Sequence, residues 1–355
     1  MPLYSHKKQR EAATRPAPVT TPDLFAPDAA PAVPALPALG IDIAKATFRA
    51  CLLRSGAQRS VEADFANTPE GFAALTRWLE EHGAPCTRTA LEATGHYSLE
   101  LLRYLHHARH AVSLLNPRWI KDYARSEGRR NKTDAVDARL IARYVQTHAT
   151  RTWQPRTKAQ EALQALSRRR EEALRALTSE RLRLQSAAPQ TASFIKTSIA
   201  HYERQLLAIA KAVEALLKND DTLRHHCALL ESIPGIGRTT AILLLAELPA
   251  LECFERVRDA AAWAGLTPAL CESGTSLRGR SRMNKQGNGR LRKGLYMPAL
   301  VLLRLKAPSA FGHLRDRLRK AGKAEMVIIG ALMRKLFQTA CGVLKHGQQF
   351  NPSLS

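Results

Sequence analysis

The sequence predicts an α/β domain followed by a long helical arm and a mostly helical C-terminal domain. Three patterns carry this. Short alternating or continuous apolar runs between Ala38 and Leu115 are interleaved with amphipathic stretches. Residues 155–220 carry no Gly and are rich in Ala, Leu, Glu and Arg. Beyond them, helical periodicity resumes after a Pro-Gly-Ile-Gly turn, at Pro234 to Gly237.

Residues 1–38 are rich in Ala, Pro and Thr and lack periodicity, which predicts a disordered tail with a basic tip. Order begins at Ala38-Leu39-Gly40-Ile41-Asp42-Ile43-Ala44-Lys45, where alternating apolar residues make a short strand with one acid at its centre. Thr47 to Leu53 and Arg59 to Phe65 read as the next two strands, joined at Ser55-Gly56. Pro69 to Glu81 is an amphipathic helix with Phe72, Leu75, Trp78 and Leu79 on one face. Thr87 to Leu91 is a fourth strand ending at Glu92, Tyr97 to His107 a helix, and Val112 to Leu115 a fifth strand. The segment Pro117 to Lys132 holds six Lys/Arg, and a helix starts at Asp134. Three strands, helix, strand, helix, strand, helix is the order of a ribonuclease H-like fold, so residues 39–150 are predicted to form one such domain.

Two features of this domain point to chemistry. Asp42 lies inside a strand that a sheet would bury, a costly place for a charge unless something cationic offsets it. Asp134 and Asp137 are three residues apart on one helix, with Cβ atoms roughly 5–6 Å apart, and repel unless a cation lies between them. Active sites in α/β sheets gather at strand ends, where Asp42, Glu92, Asp134 and Asp137 could converge on a pair of Mg²⁺ ions ~3.5–4 Å apart. For the helix alone the alternative is an acidic first turn that complements the helix dipole.

Residues 151–225 predict a helical hairpin or coiled coil. Leu163, Leu166, Leu174 and Leu177 form one stripe, Pro189 interrupts, and Ile195, Ile199, Tyr202, Leu206, Ile209, Val213 and Leu216 form the second. It is a spacer or an oligomerisation arm. Residues 226–347 form the C-terminal domain. Leu229 to Gly237 followed by Arg238 reads as a helix–hairpin–helix signature, in which Gly235 and Gly237 let the backbone turn and the next helix N-terminus offers N–H groups to a phosphate. The other reading is a Gly-rich helix connection. From Ala262 to Lys293 runs a Gly- and Arg-rich loop leading into a helix, with Ser273, Gly274, Ser276, Arg278, Arg280, Arg282, Lys285, Gly287, Gly289 and Arg292. Glycines permit close approach to a sugar–phosphate chain, and arginines fork onto phosphate. Ser273 is a turn residue, a phosphate contact or a nucleophile. Leu314 to Lys320 and Met326 to Leu344 are two closing helices, and Pro298 kinks or starts the helix before them.

The formal net charge is +23, and residues 271–350 hold 17 Lys/Arg against 3 Asp/Glu, an excess of 14. So concentrated an excess points to a polyanion, nucleic acid first, with an anionic membrane surface as competitor. No apolar run approaches ~20 residues, so no membrane span is expected. The six cysteines form no C-x-x-C pair, which argues against zinc or a disulfide framework and fits a reducing cytosol. His106, His107, His110, His225 and His226 lack partners at zinc spacing and are expected on helix surfaces.

Taken together, Gly-Ile-Asp42-Ile-Ala-Lys, Leu-Glu92-Ala-Thr-Gly-His-Tyr, Lys132-Thr-Asp134-Ala-Val-Asp137-Ala, Ile-Pro-Gly-Ile-Gly and Ala-Gly-Leu-Thr-Pro…Glu-Ser273-Gly-Thr-Ser closely resemble the insertion-sequence "one-ten" family of transposases, in its "eleven-eleven" branch. The chain is similar also to the Piv DNA invertases. The resemblance runs from about Gly40 to His346. It implies a RuvC-like domain whose acids, here Asp42, Glu92, Asp134 and Asp137, bind Mg²⁺, and a second domain whose serine attacks DNA, here Ser273 with Ser276 as fallback. It implies donor and target DNA, a structured guide (bridge) RNA, assembly into dimers and tetramers through the arm, and a cytoplasmic, nucleoid-associated protein. Arg278, Arg280, Arg282, Lys285 and Arg292 would hold phosphates. The rival readings are a RuvC-type nuclease using water and a non-catalytic nucleic-acid binder.

Overall fold

The computed structural model describes residues 36–54, 60–92, 97–128, 134–269, 272–273, 277–278, 282–305 and 309–352. The expected tail of residues 1–38 lies almost wholly outside the described residues. The chain divides into two compact units. One comprises the residues up to Ser98 with Leu115–Thr150, and the other Leu99–Leu114 with everything from Arg151 onward.

In the first part of the chain β1 (Ala38–Ile43), β2 (Thr47–Leu53), β3 (Ser60–Ala66), α1 (Pro69–Glu81), β4 (Arg88–Glu92), α2 (Leu99–His107), β5 (Ala111–Leu115), α3 (Pro117–Ser126) and α4 (Asp134–Thr147) follow one another. The sheet order is β3-β2-β1-β4-β5. β1 pairs antiparallel with β2 and parallel with β4. Each predicted strand is present within two residues of its expected bounds. The stretch Pro117 to Lys132, read only as a basic segment, opens instead with helix α3, capped by the Asn116 side chain accepting from the Arg118 amide at 3.0 Å.

The strands have two chemically different faces. Leu39, Ile41 and Ile43 of β1 share one with Phe48, Ala50 and Leu52 of β2, all buried. α1 covers it, with Phe72 6.1 Å from Phe48 between ring centres and Trp78 5.8 Å from Phe65. Thr68 caps α1, and Pro69 takes its first position, where no amide is needed. The other face carries Ala38, Gly40 and Asp42 of β1 opposite Leu53, Cys51 and Arg49 of β2. There α4 lies directly on β1. A Cβ built on Gly40 would stand 2.2 Å from both the Ala138 carbonyl oxygen and the Ala142 amide nitrogen.

α5 (Lys158–Gln185) and α6 (Pro189–Asn219) form an antiparallel hairpin turning at Ser186–Ala188, as the interrupting Pro189 predicted. A Thr157/Gln160 capping box starts α5, and Leu163, Ala173 and Leu177 bury toward Ile209, Val213 and Leu217 of α6. The hairpin continues into α7 (Asp221–Glu231), α8 (Arg238–Glu247), a 3₁₀ turn (Leu251–Cys253) and α9 (Val257–Trp263). Four two-residue strands follow: β6 (Pro268–Ala269), β7 (Glu272–Ser273), β8 (Leu277–Arg278) and β9 (Arg282–Met283). α10 (Gly289–Arg304), α11 (Ala310–Lys320) and α12 (Glu325–His346) close the chain, and Pro298 lies inside α10.

Two expectations change. Among the described residues α12 is, by length and composition, apolar enough to cross a membrane, where no such stretch was expected. Its Ile328, Leu332, Leu336, Phe337 and Ala340 are buried in the core of the second unit, which accounts for that composition. His110 is buried, not on a helix surface, and burial lowers its pKa. The five described cysteines are all free.

Because no side chain fits between Gly40 and the α4 backbone, Gly40→Ala is expected to destabilise the protein by ~1–3 kcal/mol or more. Gly342→Ala, on α12 where an added Cβ meets nothing within 4 Å, is expected to stabilise by about 0.5–1 kcal/mol. Urea unfolding followed by circular dichroism measures both, and equal effects would refute the packing account.

Candidate active site and nucleic-acid interface

Asp42 and Glu92 each stand one position beyond the last registered pair, Ile41↔Leu91, of parallel neighbours β1 and β4. In-register residues of adjacent strands lie about 4.8 Å apart and point to the same face. Both side chains are half-exposed. Gly40, two residues before Asp42, fixes which face that is, because it touches α4.

The direction of α4 follows from its far end. Arg88, opposite Ala38, donates to the His148 carbonyl at 2.9 Å just past α4, and Gln146 reaches the Arg54 carbonyl. The C-terminus of α4 therefore lies at the Ala38 end of β1, and its N-terminus, with Asp134 and Asp137, at the Asp42 end. Asp137 is half-exposed, and the side chain of Asp134 lies outside the described residues. Among the described residues no three His, Cys, Asp or Glu side chains are grouped closely enough to hold a metal. The donor set is all carboxylate, the chemistry that suits a hard divalent cation such as Mg²⁺.

The surroundings are held by pairs that the sequence reading did not anticipate. Arg49, opposite Asp42, donates from Nε to Asp64 Oδ1 at 2.7 Å and holds that carboxyl below its usual range. Arg139 of α4 donates from Nε to Glu62 of β3 at 2.8 Å, tying the helix to the sheet. The Asn67 side-chain amide donates to the Ala44 and Tyr97 carbonyls, both at 3.2 Å, so one side chain links the loop after β1 to the segment after β4. An Asn just before the α1 cap, Thr68-Pro69, was its only signal.

Ser273 belongs to the other unit. The expected irregular loop is two short ribbons: Pro268↔Met283 and Ala269↔Arg282 pair outside, Glu272↔Arg278 and Ser273↔Leu277 inside. The side chains of Ser273 and Arg278, and the whole of Ser276 and Arg280, lie outside the described residues. Arg282 and Lys285 are exposed, as a phosphate contact requires. The base of the ribbons is a tight crossing. Gly287, at φ 148°, and Gly265, at φ 71°, approach so closely that a Cβ on Gly287 would stand 2.2 Å from the Trp263 carbonyl oxygen.

Two predicted phosphate-binding arginines have internal work. Arg292 donates to the Ala264 carbonyl at 3.0 Å and braces that crossing. Arg238 donates to both oxygens of Glu214, at 3.2 and 2.7 Å, and lies 3.4 Å from Glu231. Gly235, at φ 87°, turns the chain between α7 and α8, and a Cβ there would press on the Pro298 carbonyl at 3.1 Å. Gly237 stands in open space as the α8 N-cap, without a side-chain cap.

Below the ribbons is a buried network that periodicity missed. Glu247, only 2% exposed, accepts from Arg168 Nε at 3.0 Å and from the Asn288 amide at 2.9 Å. Asn288 in turn caps α10, accepting from the Arg290 and Leu291 amides. Arg156 donates to the Ala246 and Glu247 carbonyls. The sequence signal was one Glu ending the apolar run Ala-Ile-Leu-Leu-Leu-Ala of α8.

Residues 39–192 match a transposase domain of the IS110 type, and residues 227–313 match the transposase IS116/IS110/IS902 family. The pilin gene-inverting protein of Moraxella bovis is 33% identical over 315 residues, covering 88% of this chain and 97% of that protein. Its Moraxella lacunata counterpart is similar to the same extent. The transposase for insertion sequence element IS1111A of Coxiella burnetii is 28% identical, covering 66% of this chain and 68% of that protein. The chain belongs to the IS110 family of transposases. The first family match contains Asp42, Glu92, Asp134 and Asp137, and the second contains Arg238, Ser273 and the ribbons.

In this transposase, Glu247→Ala would remove the buried acceptor shared by Arg168, whose side chain is 31% exposed, and by the partly buried Asn288 amide. It is expected to cost ~1–3 kcal/mol, with Glu247→Gln, which keeps an acceptor, costing clearly less. Chemical denaturation of both variants measures this, and equal losses would show that the network does not hold the fold.

Proposed function

We propose that the protein is a transposase and site-specific DNA recombinase that cuts and rejoins strands through Mg²⁺-assisted attack by Ser273, guided by an RNA encoded with it. The observation that carries the reading is the juxtaposition of Asp42 and Glu92 at the ends of adjacent parallel strands, at the α4 end bearing Asp134 and Asp137. On this reading the first unit is a RuvC-like, ribonuclease H-like domain. The α7–α8 hairpin is a helix–hairpin–helix motif, and the exposed Arg282 and Lys285 contact backbone phosphates.

Asp42, Glu92, Asp134 and Asp137 would hold Mg²⁺. Bound there, the metal supplies Lewis-acid stabilisation of charge on a phosphoryl group. Ser273 forms an ester to phosphorus as the phosphodiester's leaving oxygen departs with a proton. A DNA hydroxyl then displaces the serine, so the bond is conserved and no external energy source is needed. A serine hydroxyl is a weak nucleophile at neutral pH, and a neighbouring acid that takes its proton completes the step. The concentration of cations in residues 271–350 supports nucleic acid as the partner, as do the named activities of the relatives. The arm exposes Leu182, Phe194 and Leu207, which suits assembly into dimers or tetramers. Support for the guide RNA and for a cytoplasmic, nucleoid-associated location comes from family resemblance. The second reading is hydrolysis by water at the same acids. The observation favouring it is that the acids belong to one compact unit and Ser273 to the other.

Plasmid recombination and covalent protein–DNA capture test both readings. Asp42→Asn is expected to lower strand cleavage by at least about 100-fold with folding unchanged. Unchanged DNA transactions in that variant would leave only a nucleic-acid binder. Ser273→Ala is expected to abolish the covalent product and strand joining. Retained cleavage without a covalent product would establish water as the attacking group.

A further inference from the structure

The second half of α4 and the outer side of α3 form an open groove of about 460 Å³ that the recombinase reading does not use. This volume lies within the range of small-ligand clefts, about 300–1,000 Å³. Four rings line it. The Tyr144 and His148 rings stack with centres 4.3 Å apart and planes 4° apart, and Tyr123 meets both edge-on at 5.4 Å. Trp119, one turn before Tyr123, is 42% exposed. The groove's acid, Asp122, lies 3.6 Å from both Arg118 and Arg125, which offset its charge. Arg118, Lys121 and Arg125 are all exposed on the same helix.

We infer that this groove binds an unstacked base of single-stranded DNA, with Trp119 as the stacking platform and the α3 cations on the flanking phosphates. The inference rests on the recombinase reading for its partner and on the groove for its chemistry. Bases inside a duplex have both faces covered, whereas an unpaired base offers a π-face, and aromatic platforms beside a cationic track are how single strands are held. A purely apolar partner would gain nothing from three exposed cations. Position selects the DNA strand over the RNA. Tyr144 lies seven residues after Asp137 on α4, and His148 lies just past the helix end, eleven residues after Asp137, so the two stand about 10–16 Å from it along the helix axis. A strand with a phosphate at the acids therefore needs only a few nucleotides to reach the groove.

The test uses the full chain and fluorescently labelled oligonucleotides of about 15 nucleotides in three forms: single-stranded DNA, the matching duplex, and RNA of the same sequence. Trp119→Leu, an exposed position that keeps apolar bulk, is expected to weaken single-strand DNA binding about tenfold and duplex binding less than twofold. Trp119→Phe should recover most of the loss. Single-stranded DNA carrying 5-iodouracil should photocrosslink to Trp119 or Tyr123, located by mass spectrometry. Equal weakening on duplex and single strand, no weakening, or a larger effect on RNA than on DNA would each overturn the proposal. Asp42→Asn should retain single-strand binding. If the wild type neither cuts nor joins DNA yet shows the Trp119 pattern, the recombinase reading falls and the groove stands. If Asp42→Asn abolishes recombination while Trp119→Leu binds single strands normally, the groove falls alone.

Discussion

The first unit depends on the contact between Gly40 and the α4 backbone. A helix on a sheet is ordinarily held off by the side chains that fill the gap between them. Here one strand position has no side chain, and the carbonyl of Ala138 and amide of Ala142 occupy that space. The helix cannot slide along β1 without pressing its backbone into Ala38 or Asp42, which carry Cβ atoms. Its register against the strand is therefore fixed by exclusion. That registration brings the N-terminal end of α4 to the level of Asp42. Arg139 on Glu62 and Arg88 on the His148 carbonyl then hold the helix against rotation and at its far end.

The fold was largely legible because its strands and helices obey local rules. Alternation along β1 and β2, the Thr-Pro start of α1 and the Pro189 break in the arm each state their element in a few residues. The helix α3 was obscured by its charge. Arg118, Lys121, Asp122 and Arg125 mask an amphipathic stretch whose buried anchor is Ile120 alone. The ribbons around Ser273 were illegible for a different reason. Strands of two residues are too short for any period, and they exist because the chain crosses itself at Gly265 and Gly287, a long-range constraint.

Asp42, Asp134 and Asp137 stand out in the sequence because each violates a local preference. Asp42 is a charge within a strand, and Asp134 and Asp137 crowd one helix face. The cations were harder, because charge alone does not tell an arginine that waits for a ligand from one already engaged. Arg238 and Arg292 show the difference. The first is held bidentately by Glu214, and the second spends a donor on a backbone carbonyl. Likewise Glu171 accepts from Lys293, Arg290 and Arg175. Burial alone would raise its carboxyl, but these hydrogen bonds outweigh that and hold it below the usual range. The cations free to meet a polyanion are fewer than the net charge suggests.

This partition bears on how the ribbons that carry Ser273 are rooted in the second unit. Arg282, in β9, and Lys285, just after it, are exposed, and on the proposed reading their charge would attract a nucleic-acid backbone. Just below, Asn288 spends every polar atom inward: its oxygen caps α10 and its amide reaches buried Glu247. Glu247 is held in turn by Arg168 from the arm hairpin, and Arg156 secures the carbonyls around it. Movement of the base of the ribbons would break the charge-assisted pair on Glu247, whose carboxylate is buried and would be left without its partner. The ribbons that carry Ser273 therefore rise from a fixed root, the crossing at Gly265 and Gly287 braced by Asn288 and Arg292.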